Sequence, residues 1–103
     1  MNTSSPSSSP SPSTSHPQTL TEMLEERGAR YGDFKTHASI TQKLKLQMSV
    51  APKWDTLTAS QKESLEMIAH KIGRILNGDP NYSDSWHDIA GYAKLVADEL
   101  DQF

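Results

Sequence analysis

Residues 71–95 read KIGRILNGDPNYSDSWHDIAGYAKL, and the fold is decided there. Lys71, Ile72, Arg74, Ile75 and Leu76 continue a helical pattern, Asn77-Gly78-Asp79-Pro80-Asn81 breaks it, and Ser83-Asp84-Ser85 opens a second helix. A connection of about six residues is the usual length for an antiparallel helical hairpin. Lys71 and Arg74 close the first helix, and Asp84 and Asp88 open the second, so the hairpin brings opposite charges together beside its turn.

Working outward, the helix that ends at this turn begins at Thr58. Thr58 and Gln61 form a Thr-x-x-Gln capping box, and Gly78 is the expected left-handed stop. At about 100° per residue, Leu65, Ile68, Ala69, Ile72, Ile75 and Leu76 gather on one side, with Glu63, Glu66, His70 and Asn77 opposite. The downstream helix carries its apolar face on Trp86, Ile89, Ala90, Ala93, Val96, Ala97 and Leu100.

Upstream, Phe34, Ala38, Ile40, Leu44 and Met48 predict a helix over 34–48, with Lys35, His37, Gln42, Lys43 and Gln47 facing water and Pro52 beyond its end. Trp54 follows in a loop as a hydrophobic lid. Leu20, Met23 and Leu24 predict a shorter helix capped at Thr19 or Thr21 and weakened by Gly28. Between these two helices, Gly32 suits a positive φ and Asp33 suits a helix cap.

Residues 1–17 are almost entirely Ser, Thr and Pro, and are expected to form a disordered arm ahead of a helical domain over 18–103. No stretch alternates like a strand. The expected fold is all-α, a small bundle of about four helices with the antiparallel hairpin at its C-terminal end.

Composition removes several function classes. The 103-residue chain has no cysteine, which excludes disulfides, a thiolate metal site and a Cys nucleophile, and fits a reducing cytoplasm. A net charge of −3 argues against general nucleic-acid binding, which needs a basic surface. No apolar run approaches the ~20 residues that span a bilayer, and no signal peptide is visible, so no membrane role is expected. Gly-rich phosphate loops, Ser nucleophile motifs and zinc motifs are all lacking.

The charge cluster has two readings. In one, Lys71, Arg74, Asp84 and Asp88 form ion pairs that set the register of the hairpin. In the other they line a polar pocket: Lys71 and Arg74 hold phosphate oxygens, Asp84 and Asp88 hold Mg²⁺ through water, and Tyr92 or Tyr31 stacks on a base. Arg27, Tyr31 and Asp33 would complete that pocket if the Tyr-Gly-Asp turn folds over the same end. Glu63 and Glu66 form a Glu-x-x-Glu pair, but the helical wheel turns it outward.

Lys71-x-x-Arg74 followed by Asp84-Ser85-Trp86-x-Asp88-Ile89-Ala90-Gly91-Tyr92-Ala93 resembles the shared core of a family of small phage and prophage proteins of unknown function. Glu26-Arg27-Gly28-x-x-Tyr31-Gly32-Asp33 resembles the stretch that precedes that core. The resemblance implies an all-α fold distantly similar to the MazG-like nucleoside triphosphate pyrophosphohydrolases. Where those enzymes present Glu-x-x-Glu, this chain presents Lys71 and Arg74, and Asp84 and Asp88 match the Glu-x-x-Asp half only loosely.

Three functions are therefore expected. The first is a phage-type accessory protein that binds a nucleotide or other phosphate-bearing ligand. The second is a Mg-dependent MazG-like pyrophosphohydrolase, and the third a module that binds a host protein. Four short helices leave apolar surface over, so a homo-oligomer is expected as well.

Overall fold

Thr19 and Thr58 each accept a hydrogen bond from the backbone N–H three residues on, while Glu22 and Gln61 accept in return from the cap N–H. These two capping boxes start α1 (Leu20–Tyr31) and α3 (Ala59–Asn77) in a computed structural model that describes residues 19–102. The arm expected over 1–17 lies outside the described residues. Asp33 caps α2 (Phe34–Ser49) by accepting from the Thr36 N–H at 2.7 Å. α4 runs from Ser83 to Leu100, and a single 3₁₀ turn, Trp54–Thr56, sits between α2 and α3. The fold is a bundle of four helices, with no strand among the described residues.

Every other helix packs on α3. α4 returns along it as the antiparallel hairpin, α2 lies along its other flank, and α1 touches the end near the hairpin turn. α2 and α4 pack on α3 rather than on each other, so these three helices form an open layer with α3 in the middle. Gly73 makes the α2 side possible. A Cβ there would stand 2.5 Å from the Thr41 methyl and 3.0 Å from the His37 ring.

The turn regions differ from the expectations in instructive ways. α1 runs straight through Gly28 to Tyr31, and Gly32 ends it at φ 79°. Gly78 ends α3 at φ −125°, not in the left-handed region. It is required for space instead, because a Cβ there would run into the backbone of Arg30 and Tyr31. α4 begins one residue after Tyr82, which supplies no side-chain cap. The turn is held by the Asp79 carboxylate accepting from the Asn81 N–H at 2.9 Å and by the Trp86 indole donating to the Pro80 carbonyl at 2.8 Å. Trp54 is half-buried, with the Lys62 ammonium 5.8 Å from its ring centre.

Three predicted faces need correction. His37 is buried, not solvated, because α2 turns it with Thr41 onto α3. His70 and Asn77, placed by the wheel on the outer side of α3, face α2 and the α1–α2 turn. The predicted apolar face of α4 is split: Ile89 and Val96 are half-buried, whereas Trp86, Ala90, Ala93, Ala97 and Leu100 stay exposed. Within a single chain Ala69 is the one apolar residue of the described core that is fully enclosed.

Two glycine substitutions should move stability in opposite directions. Gly73→Ala forces α2 off α3 and should cost about 1–3 kcal/mol in urea denaturation. Gly91 lies within α4 with nothing within 4 Å of where a Cβ would stand, so Gly91→Ala should add about 1 kcal/mol through helix propensity.

Candidate functional site

The end of α1 is fastened to the end of α3 by one side chain. Asn77 Nδ2 donates to the carbonyls of Tyr31 and Asp33, each at 2.9 Å, one for each of its hydrogens. The Asp79 N–H donates to the Arg30 carbonyl at 2.6 Å. A Cβ on Gly32 would collide with Asn77, so the close approach depends on that glycine as well as on its φ. The Tyr-Gly-Asp turn therefore does fold over this end of the bundle.

That fastening stacks four rings and guanidiniums. The Arg74 guanidinium lies 4.2 Å from the centre of the Tyr31 ring, Tyr31 meets Tyr82 edge-on at 6.1 Å, and Arg30 lies 5.0 Å from the Tyr82 ring. The Tyr82 hydroxyl donates to Asp84 at 2.9 Å, and that hydrogen bond holds the Tyr82 hydroxyl above its usual pKa.

Beside the stack opens a cleft of about 520 Å³. Arg27, Tyr31, Asp33 and Arg74 line it, with Phe34, His37 and His70 from α2 and α3. Its volume falls in the ~300–1,000 Å³ range of small-molecule sites. Among the described residues the ion pairs are Glu26–Arg30, Lys71–Asp88 and Lys94–Asp98, so neither Arg27 nor Arg74 is neutralised by a carboxylate.

Two histidines absent from the expected site residues also line the cleft. His37 Nε2 and His70 Nδ1 stand 3.3 Å apart, sharing one proton in either tautomer, with the rings edge to face. His37 Nδ1 is buried without a partner. Burial holds both rings below the ordinary value of 6.5, with Arg74 the next cause, and His70 is brought to about 4. At neutral pH the cleft wall is therefore an uncharged imidazole pair beside two fixed cations. In the sequence, the i, i+4 spacing of His37 and Thr41 and the Gly73 opposite them were the available signal.

The eight residues expected to share one pocket divide among three places. Arg27, Tyr31, Asp33 and Arg74 converge on the cleft. Lys71 instead pairs with Asp88 across the α3–α4 seam at 2.9 Å, the lysine side chain 11% exposed and the aspartate 49%. The Lys71 hydrogen bond and charge hold the Asp88 carboxyl below its ordinary value. Asp88 and Tyr92 border a separate hollow with His87, Gly91 and Leu95. Asp84 is engaged with Tyr82, so the two carboxylates suggested for Mg²⁺ have different partners. Among the described residues no three His, Asp or Glu side chains converge as a metal-binding set.

A family model for a domain of unknown function, DUF6378, matches residues 18–100. The chain belongs to the DUF6378 family. No curated protein and no solved structure matches it. No helix of the described residues is long and apolar enough to cross a membrane.

Two measurements on this DUF6378 domain probe the electrostatics. His70 titrates near 4 when folded against 6.5 ordinarily, so the unfolded chain takes up that proton first. Its stabilising contribution is complete above pH 6.5 and is lost as pH falls toward 4, on the order of 2 kcal/mol allowing for its partial exposure. His70→Asn should reduce the fall in melting temperature across that window, leaving the smaller contribution of His37; the Asp88 contribution is lost only below about 3.8. Separately, Asp88→Ala strands the Lys71 ammonium and should lower the melting temperature, which an added Lys71→Met should largely restore.

Proposed function

We propose that this protein is a small accessory protein of phage type, working in the cytoplasm of the host cell, that binds a phosphate-bearing ligand of the nucleotide class in the cleft between α1, α2 and α3. The observation that carries this reading is the pair of guanidiniums, Arg27 and Arg74, that border one cleft without a carboxylate partner among the described residues, Arg74 standing over the Tyr31 ring. A guanidinium offers a planar fork of donors to phosphate oxygens, and its stacking on Tyr31 fixes that fork before a ligand arrives. Phe34, largely exposed at the same cleft, offers an apolar face to a base. The neutral His37–His70 pair supplies hydrogen-bonding edges without adding charge.

In this reading Lys71, Asp84 and Asp88 support the site and do not touch the ligand. Lys71–Asp88 sets the register of α4 on α3, and Asp84 orients Tyr82 beneath the Tyr31–Arg74 stack. Hydrolysis of a nucleoside triphosphate in the MazG manner would need several carboxylates around Mg²⁺. The cleft itself holds one, Asp33, which is already engaged as the α2 cap.

Thermal denaturation against a panel of nucleoside mono-, di- and triphosphates and inorganic phosphate, with and without Mg²⁺, tests the proposal. A ligand at a hundred times its Kd should stabilise the protein by ~2.7 kcal/mol, visible as a rise of several degrees. Arg74→Ala should remove the rise, and Arg74→Lys should leave only part of it. No rise across the panel would overturn the reading in favour of a module that binds a host protein. Pyrophosphate release with Mg²⁺, abolished by Asp88→Ala, would instead identify a pyrophosphohydrolase.

A further inference from the structure

The open layer has two unlike sides along the α3–α4 seam, where Ser64 and Val96 meet. On one side the seam is bordered by two carboxylates, Glu63 and Glu99, with Ser60 and Tyr92, and its apolar residues are Ala59 and Leu95. On the other it is bordered by Leu57, Leu65, Ile68 and Ala93. The apolar side continues along α4 as Trp86, Ala90, Ala93, Ala97 and Leu100, spaced four, three, four and three residues apart, which is the spacing of a helix-packing seam. No ionisable side chain falls in that series. Leu65, Leu76, Trp86 and Leu100 are between 40% and 67% exposed in the single chain.

We infer that this face packs against the same face of a second copy, two hairpins stacking into a four-helix core around a two-fold axis. The single chain leaves the core unfinished, since Ala69 is the only fully enclosed apolar residue described, so the cover must be present whenever the protein is folded. Residues 1–18 are poorly suited to provide it, because besides Met1 their only apolar side chains are four prolines scattered among Ser and Thr. The Trp86 indole N–H is already satisfied by the Pro80 carbonyl, which leaves the ring free to be buried.

The two helices alone supply more than half of the area that a stable dimer takes. Helices of 19 and 18 residues are each about 27 Å long and lie roughly 10 Å apart, giving a footprint on the order of 500 Å² before side-chain relief is counted. Stable interfaces take about 800 Å² from each partner. Ala93 is the midpoint between Trp86 and Leu100. An antiparallel α4–α4 contact thus places the smallest side chains at the crossing and sets Trp86 opposite Leu100 of the partner subunit. This face lies on α3 away from Arg74 and His70, so the dimer leaves the cleft open and does not depend on the nucleotide reading.

Sedimentation of the full chain tests the inference. The expected mass is twice the 11.4 kDa of one chain, with a melting temperature that rises with protein concentration. Ala93→Arg should halve the sedimenting mass or unfold the chain, whereas Glu63→Arg, on the opposite side of the seam, should leave the dimer intact. Unfolding of Ala93→Arg counts for the interface, because arginine at an exposed helical position of a monomer costs almost nothing. A wild type that sediments as a monomer with a concentration-independent melting temperature overturns the inference. So does a dimer that survives Ala93→Arg or is lost in Glu63→Arg.

Discussion

Asn77 is the constraint on which the site depends. Its amide nitrogen carries two hydrogens, and they reach the Tyr31 and Asp33 carbonyls on either side of Gly32. Both carbonyls belong to a helix end or a turn, where backbone acceptors are left over and must find a partner. Satisfying them from α3 fixes the direction in which α1 leaves the bundle, and so brings Arg27 and Tyr31 to the side where Arg74 emerges. α1 buries no residue of its own, which makes this polar fastening, and not an apolar stripe, the reason for its position.

Electrostatics on α3 follows from the same arrangement. Lys71 and Arg74 are neighbours in sequence but have opposite fates. Lys71 is enclosed in the α3–α4 seam and is satisfied by Asp88, whereas Arg74 emerges against an aromatic ring with no ion-pair partner among the described residues. A compact ammonium is stabilised by one short contact with a carboxylate; a flat guanidinium can be held by a ring face and still keep its edge for a ligand. The histidine pair completes the contrast. Burial and the nearby Arg74 charge keep both imidazoles neutral, so the cleft concentrates positive charge at its arginines alone.

Much of this architecture is written in local sequence. The capping boxes at Thr19 and Thr58, the Asp33 cap and the break after Asn77 are short-range chemistry, each settled within a few residues of the helix it starts or stops. The all-helical class and the antiparallel hairpin follow from apolar periodicity and the length of one turn. Arg27, Tyr31, Asp33 and Arg74 could be named as site candidates from motif and residue type. Their separation from Asp84, Asp88 and Tyr92 could not, because a wheel gives angles around one helix and nothing about which flank its neighbours occupy.

The sequence by itself determined the elements, their ends and the charged residues gathered about one turn, because caps, breakers and periodicity act over one or two helical turns. Only the tertiary structure decided how those elements share α3. With α2 on one flank and α4 on the other, His37, His70 and Asn77 become packing residues, though their polarity marks them for water, and most of the apolar series on α4 is left uncovered. Polarity assigns a side chain to the core only when a single neighbour is being faced. α3 faces three, and the hydrogen bonds that hold two of them in place join residues more than thirty positions apart.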